Sequence, residues 1–244
     1  MLLRVLYAEV LKLKRTLAFR MIFVLPLLIA TLEFFIAWRM EKLSAEFNIW
    51  KFLPTSSLQI WAVFMMPLLI TLETALLNGI EHSDKQWKHI LALPVPRSYV
   101  YFAKFAVAQL LMLISTIVLA LLTILVGVIV MKIRPEMAHA GPIPFGWIGK
   151  HVLYVWIASW FIIAIHTWIS VRWSGFPIPL GAGIAGVFFA LFAASAWVGK
   201  FYPWLLPMNL FLDGRFTSAL ILGATGGIIA LLLGCLDFVR RDVA

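Results

Sequence analysis

Apolar residues fill six long runs of this chain, and short polar stretches separate them. The runs cover residues 19–38, 58–77, 105–131, 148–171, 176–198 and 217–236. An α-helix needs about 20 consecutive apolar residues to cross the hydrocarbon core of a bilayer. The pattern therefore predicts an all-α membrane protein with six transmembrane helices, folded as a single transmembrane domain over residues 1–244.

Three of these runs also predict how the helices are arranged. Only residues 172–175 separate the fourth and fifth runs, so these two runs should form a tight helical hairpin. The third run is longer than a bilayer core requires, and we expect it to tilt or to emerge from the bilayer. Small residues spaced about four apart let helix backbones approach closely. The fifth run carries such residues at Gly181, Ala185, Gly186, Ala190 and Ala194.

The longest polar stretch, residues 78–104, lies between the second and third runs and encodes a short helix of its own. Ser83 and Gln86 have the spacing of a capping box, in which each side chain satisfies a backbone donor of the first turn. The prolines from Pro94 onward would end the helix. A charged helix that carries Trp87 between two spans is a typical surface for another protein to bind.

The first 16 residues and residues 200–215 differ from the membrane runs. Apolar residues of the first segment recur at helical spacing: Leu3, Leu6, Tyr7, Val10 and Leu13. This spacing favours an amphipathic helix along the inner headgroups, with an ordinary basic anchor as the alternative. Residues 200–215 are apolar and aromatic, but prolines and a glycine interrupt them. We expect short broken helices that dip into the outer leaflet, covered by protein or facing a water-filled cavity.

Composition and charge narrow the function classes. The chain is 63% hydrophobic and 13% charged, with a mean hydropathy of +1.00, which is not the composition of a soluble domain. Its single cysteine excludes an intrachain disulfide and a cysteine-based metal site. The net charge is +9, but the basic residues flank the apolar runs, so we expect anionic lipid headgroups as partners and no nucleic acid.

Orientation follows from the distribution of Lys and Arg. With the N-terminus inside, twelve of the 20 Lys and Arg residues lie on the inner side and eight on the outer side. Because cytoplasmic loops carry an excess of these residues, the count predicts that both termini are cytosolic.

Three ionisable residues lie deep within the predicted spans: Glu33, Glu73 and His166. A charge at the bilayer centre costs about 2.5–3.5 kcal/mol on insertion scales, so such residues are candidates for a transport path. Glu33 lies near the outer end of its span and Glu73 near the inner end of its own, so we do not expect them to pair. Snorkelling to water is the alternative for both carboxylates. For His166, a hydrogen bond to a neighbouring helix is favoured over metal binding.

The order of these features resembles the permease subunits of type-2 ABC exporters, most closely the branch associated with lantibiotic and bacitracin immunity. The start, E-V-L-K-L-K-R-T from Glu9, is similar to that family's elbow helix. The polar stretch reads E-x5-W…L-P-x-x-R…K from Glu81 to Lys104 and is similar to its coupling-helix region. Residues 200–215 are similar to its outer re-entrant helices, and D-F-V-R-R-D-V to its tail.

The resemblance implies the pore-forming half of an ATP-driven exporter in the cell membrane. Its substrate would be hydrophobic or amphipathic, such as a peptide antibiotic or a lipid-like molecule. Two copies of a separate ABC ATPase would bind the ATP and Mg, this chain itself would hold no cofactor or metal, and a second permease copy or a paralogue would complete the pore. In agreement, the chain lacks the G-x-x-x-x-G-K-[ST] phosphate-binding loop.

Under this resemblance the coupling helix is the contact with the ATPase. The candidate residues are Glu81, Asp84, Lys85, Trp87 and Lys88. A membrane-embedded enzyme and a non-transporting scaffold of an immunity or sensing complex are the alternatives. An enzyme would need a nucleophile with a base, paired carboxylates or histidine ligands within reach of one another, and the sequence carries neither G-x-S-x-G nor H-E-x-x-H.

Overall fold

The computed structural model describes residues 1–13, 16–40, 47–83, 94–136 and 141–240, and within these ranges it is helical without a strand. The α-helices are α1 (Leu2–Lys12), α2 (Leu17–Arg39), α3 (Ile49–Ile60), α4 (Met66–Ser83), α5 (Arg97–Ile133), α6 (Phe145–Ala158), α7 (Trp160–Arg172), α8 (Pro177–Ala193), α9 (Leu206–Asn209) and α10 (Phe216–Arg240). A π-helical turn joins α3 to α4. Two 3₁₀ turns precede α9.

Five stretches of the described chain are long and apolar enough to cross a membrane: Leu17–Arg39, Ile49–Gly79, Arg97–Ile133, Phe145–Arg172 and Phe216–Arg240. They confirm an all-α, multi-pass membrane protein and contain five of the six predicted runs. The remaining run, residues 176–198, forms the shorter helix α8, which has 17 residues. By length and composition, the predicted count of six spans is therefore not confirmed.

The second stretch begins earlier than the apolar run predicted. It starts at Ile49 rather than at residue 58, because the side chain of Asn48 caps it. The Asn48 Oδ1 atom accepts hydrogen bonds from the backbone N–H groups of Trp50 (2.9 Å) and Lys51 (3.2 Å). An asparagine at this position satisfies donors that the first turn leaves free, so a helix can begin in a moderately polar sequence.

The long helices define two ends of the bundle. α1 packs against α5, and we call this end the α1 end and the opposite one the far end. α2 and α5 run parallel from the α1 end, since Ser115 Oγ donates to the Ile22 carbonyl (2.9 Å). At the far end, Arg134 donates to the carbonyls of Ala37 (3.3 Å) and Trp38 (3.3 Å), groups that the last turn of α2 leaves without helical partners.

Helices α7 and α10 also run parallel, and both finish at the α1 end. A methyl group at Gly223 would lie 2.5 Å from the Cα atom of Ala158, and one at Gly234 would lie 3.0 Å from the ring of Trp168. The absent side chains let α10 approach α6 and α7 backbone to backbone, as small residues do between membrane helices.

Helix α8 carries the chain from the α1 end toward the far end. Because α7 ends and α10 begins at opposite ends, the segment between them must return across the bundle. α8 runs antiparallel to α4: Gly183 lies against Thr71, and Pro179 lines a cavity together with Ala75. The predicted tight link between the fourth and fifth runs is present as the short connection between α7 and α8.

The segment that separates helices α4 and α5 is shorter than the polar stretch 78–104. Its first residues continue α4 to Ser83, and its last residues, from Arg97, are already part of α5. The apolar runs mark only part of each helix, and both helices extend past the ends of those runs. Gln86 of the predicted capping box lies outside the described residues.

The aromatic segment 200–215 folds as a series of short helical pieces, as its prolines predicted. They are the 3₁₀ turn Pro203–Leu205 and the single-turn helix α9. The fully buried Asn209 donates to the carbonyl of Gly199 (2.8 Å). This hydrogen bond gives a partner to a backbone carbonyl that lies outside the regular α-helices. The Trp204 ring lies 5.5 Å from that of His166, so this segment reaches the interior of the bundle.

Candidate functional site

Four charged side chains form one ion network at the α1 end of the bundle. Lys12 Nζ lies 2.6 Å from Glu9 Oε1 and 2.8 Å from Glu81 Oε1. Lys104 Nζ lies 2.8 Å from Glu81 Oε1 and 3.1 Å from Glu9 Oε2. Each ammonium group therefore contacts both carboxylates. The network joins α1, which carries two members, to the end of α4 and to the first turns of α5.

Burial makes this network different from a surface ion pair. The side chains of Glu81 and Lys104 are 0% and 1% exposed, whereas that of Lys12 is 29% exposed. Two positive and two negative charges balance, which is the condition for keeping charges in an environment that excludes water. The four charges therefore depend on one another, and removal of any one leaves the others uncompensated.

The titration of two members reflects this mutual dependence. Burial by itself raises the pKa of Glu81, but the charges and hydrogen bonds of Lys104 and Lys12 outweigh it and hold that pKa below its ordinary value. Burial by itself lowers the pKa of Lys12, but hydrogen bonds to Glu81 and Glu9 outweigh it and raise that pKa. Both shifts favour the charged forms over a wide pH range.

Helix α1 turns Glu9 and Lys12 toward the protein and an apolar face outward. Glu9 is 4% exposed and faces the bundle, while Leu3 is 78% exposed and Tyr7 65% exposed. Leu6 and Val10, which the sequence placed on the same apolar face as Leu3 and Tyr7, instead pack against the core. The apolar side chains of α1 therefore divide between the protein interior and the outer surface.

Four of the five predicted coupling residues lie outside the described residues: Asp84, Lys85, Trp87 and Lys88. Glu81, the fifth predicted contact residue, is buried within the chain by the network. The network also contains three members that the sequence did not select as site residues: Glu9, Lys12 and Lys104. The spacing of Glu9 and Lys12, three apart on a helix, was the one local signal available.

The three predicted intramembrane residues are buried but do not come together. Glu33 is 0% exposed, and one of its carboxylate oxygens accepts a hydrogen bond from Ser56 Oγ (2.6 Å). Glu73 is 1% exposed, and neither of its carboxylate oxygens has a hydrogen-bond partner among the described residues. His166 Nε2 lies 3.4 Å from Thr71 Oγ1. Since Thr71 and Glu73 are two residues apart on α4, their side chains leave the helix on opposite sides.

A polar stripe on α4, which the sequence analysis did not identify, faces α7 between His166 and the α1 end. Asn78 Nδ2 donates to Ser170 Oγ (2.7 Å), and His82 Nε2 lies 3.1 Å from the Ser170 carbonyl oxygen. A cavity of about 160 Å³ lies beside these residues, where α4 meets the α7–α8 connection; Trp173 also lines it. The stripe fixes α4 to α7 at the α1 end.

A second ionic contact joins α7 to α10 at the α1 end of the bundle. Arg172 Nη1 lies 2.8 Å and 2.9 Å from the two carboxylate oxygens of Asp237, and Trp168 Nε1 donates to one of them (3.0 Å). Asp237 is the first residue of the predicted tail motif. Both side chains are partly exposed, so this contact carries less desolvation cost than the four-residue network.

Comparison with known proteins adds one finding. A family model described as "ABC-2 family transporter protein" matches residues 5–192, which extends from α1 to the penultimate residue of α8. No curated protein matches the chain. No solved structure matches it either.

Proposed function

We propose, since this chain belongs to the ABC-2 family of transporter proteins, that it is the transmembrane half of an ATP-driven exporter. Membership implies a partnership with an ABC ATPase, and that separate chain would bind the ATP and Mg. Two ATPase copies and a second permease, either another copy of this chain or a paralogue, would complete the transporter. The substrate would be hydrophobic or amphipathic, with a peptide antibiotic or a lipid-like molecule as the leading candidates.

In this proposal the chain crosses the membrane six times and keeps both termini in the cytosol. The parallel course of α7 and α10 supports the sixth crossing, because the chain must return from Arg172 to Phe216. The 17 residues of α8 span about 25 Å at 1.5 Å per residue, a little less than a typical hydrocarbon core of about 30 Å. The short helical pieces after α8 would complete the crossing in the outer leaflet. The excess of Lys and Arg favours the α1 end as cytosolic.

The observation that carries the mechanism is the position of the ion network. Glu81 stands just before residues 84–93 and Lys104 stands within the first turns of α5, so the network clamps the chain on both sides of that segment. A push on residues 84–93 by a closing ATPase would reach α4, α5 and α1 together. Asp84, Lys85, Trp87 and Lys88 would touch the ATPase, and Glu81 would support the contact from inside the bundle.

The intramembrane residues have a proposed role along the substrate path. Glu33 and Glu73 lie on different helices and toward opposite ends, so they would act at separate stages of substrate passage. His166, beside Trp204 of the aromatic segment, would mark where that segment meets the path. A buried carboxyl group without a hydrogen-bond partner, such as that of Glu73 among the described residues, is energetically costly. A rearrangement of the helices during transport would bring a partner to it.

The experiment is a co-purification in mild detergent with the chain tagged at a terminus. Wild type should retain a stoichiometric ATPase, and Trp87→Ala should lose it while the chain still inserts. The matched control is Trp197→Ala, because Trp197 is 78% exposed and lies beyond α8, away from the α1 end. Equal ATPase retention in wild type and Trp87→Ala would refute the contact, and a stable wild-type preparation without any ATPase would favour the scaffold.

A further inference from the structure

The outward face of α1 is an apolar stripe. Leu3, Tyr7 and Leu11 recur every four residues and are 78%, 65% and 39% exposed, so they lie one above another on one side of the helix. The charged residues Glu9 and Lys12 leave the helix toward the bundle. An apolar stripe turned away from the protein needs a covering, since exposed contiguous apolar surface marks a contact with a partner or a membrane.

The surroundings of the stripe identify the hydrocarbon of a bilayer as its covering. Helix α2, which is a membrane-spanning helix, begins shortly after α1, and its early residues Leu17 and Phe19 are 48% and 45% exposed. Arg4 on α1 and Arg20 on α2 are also exposed. Apolar side chains flanked by arginines at the start of a span fit an anionic leaflet, whose acyl chains and headgroups satisfy both.

The inward face of the same helix holds the ion network. Lys12 contacts Glu81 directly, and Glu9 is linked to Glu81 through the ammonium groups of Lys12 and Lys104. All four distances are 3.1 Å or less. A movement of α1 would therefore displace the groups that flank residues 84–93. One helix thus turns an apolar face outward and, with its other face, holds the charged groups on both sides of that segment.

We propose that α1 is a lipid-responsive element that adjusts ATPase coupling to the anionic phospholipid content of the leaflet around it. Anionic phospholipids hold the stripe at a fixed depth and tilt, and the ion network passes that position to residues 84–93. Loss of the lipid contact lets α1 shift, and the two sides of the segment lose their common support. This inference rests on the proposed function.

The lipid contact is tested on the chain alone. Tyr7→Trp places an indole in the stripe, and vesicles that contain phosphatidylglycerol with brominated acyl chains should quench its fluorescence relative to unbrominated vesicles. The eleven native tryptophans give a background, which the wild-type chain in the same vesicles measures. Quenching no greater than in wild type would overturn the lipid contact, and with it the inference.

The transmission step is tested on the complex with its ATPase, reconstituted in nanodiscs of phosphatidylcholine with increasing phosphatidylglycerol. ATPase activity of wild type should rise severalfold with phosphatidylglycerol. Leu3→Gln should flatten this rise, and Ala8→Gln, a change of an exposed residue outside the stripe, should preserve it. Arg4→Gln should lower the preference for anionic over zwitterionic lipid about fivefold, the equivalent of roughly 1 kcal/mol per basic residue at the surface.

A network variant separates transmission from lipid binding. Lys12→Met in the Tyr7→Trp background should keep the quenching by brominated lipid and lose the phosphatidylglycerol dependence of ATPase activity. An ATPase that remains bound but shows the same lipid dependence in wild type, Leu3→Gln and Lys12→Met would overturn the inference and leave the proposed function intact. Absence of any ATPase from wild type would overturn the proposed function, and the transmission step with it.

Discussion

Lys104→Met removes one of the two ammonium groups that join Glu81 to Glu9 and leaves the network with one surplus negative charge. Glu81 is fully buried, so that charge has no water to solvate it. Breaking a buried ion pair on one side typically costs about 3–5 kcal/mol, which is a large part of a total stability of about 5–15 kcal/mol. Glu81→Gln should cost a similar amount for the opposite reason, because Lys104 and Lys12 then share one carboxylate.

The double variant distinguishes this network from independent contacts. Lys104→Met with Glu81→Gln leaves Lys12 and Glu9 as a neutral pair on α1, so its cost should fall short of the sum of the two single variants. We expect a coupling energy of about 2–3 kcal/mol, at the upper end for residues in one charge network. The assay is SDS-induced unfolding in mixed micelles, followed by circular dichroism.

Additive costs would refute the reasoning. A coupling energy below about 0.5 kcal/mol is what distant, independent sites give, and it would mean that the two side chains do not share a buried network. If either single variant is too unstable to purify, recovery of the double variant in membranes at a higher level than that single variant reports the same coupling. Arg134→Met is a control, since its contacts lie at the far end and should add independently to either variant.

Three further outcomes are expected, two at contacts outside the network and one from the titration of the network itself. Gly223→Ala should lower stability by about 1–3 kcal/mol through overpacking, because its methyl group would lie 2.5 Å from a backbone atom, whereas Gly181→Ala, with nothing within 4 Å, should be neutral in the same unfolding assay. Arg134→Gln should cost about 1.5–3 kcal/mol through lost charge-assisted hydrogen bonds to α2, and proteolysis near the far end should accelerate. Stability measured against pH should fall in acid as Glu81, whose pKa is depressed below 4.5, takes up a proton; a depressed pKa contributes above the ordinary value and is lost on acidification. It should fall again in base above 10.5, where Lys12, whose pKa is raised, loses its proton. Glu81→Gln should abolish the contribution of that carboxylate to the acid limb and reduce the base limb, because the hydrogen bond to Glu81 is part of what raises the pKa of Lys12.

The apolar runs predicted the membrane helices well because the bilayer imposes its own length on them. Where a run and a helix differ, local polar chemistry explains the difference. Asn48 begins α3 before the apolar run starts, since a cap depends on one hydrogen-bonding side chain rather than on hydropathy. Ser159 Oγ donates to the Trp156 carbonyl (2.6 Å) where α6 gives way to α7, and a serine that bonds back to its helix bends it.

The fifth run shows the limit of composition as a guide. Its small residues predicted close packing without naming the partners. Of the residues that the sequence pattern named, Gly186 lies against the indole of Trp204, whereas Gly181 has nothing within 4 Å; Gly183, which it did not name, lies against Thr71. Small residues in a sequence indicate a helix surface that another element can approach closely. Which element packs there depends on the rotation of each helix about its own axis.

The ion network was beyond prediction for the same reason, and this bears on how the chain would couple. Among the described residues, the charged partners of Glu81 lie 69 residues away at Lys12 and on α5 at Lys104. Buried charges accept few substitutes, because each must be matched in sign, length and direction. Under the proposed function, groups held by such a network would move together with α1, as transmission of a movement from an ATPase to the membrane helices requires.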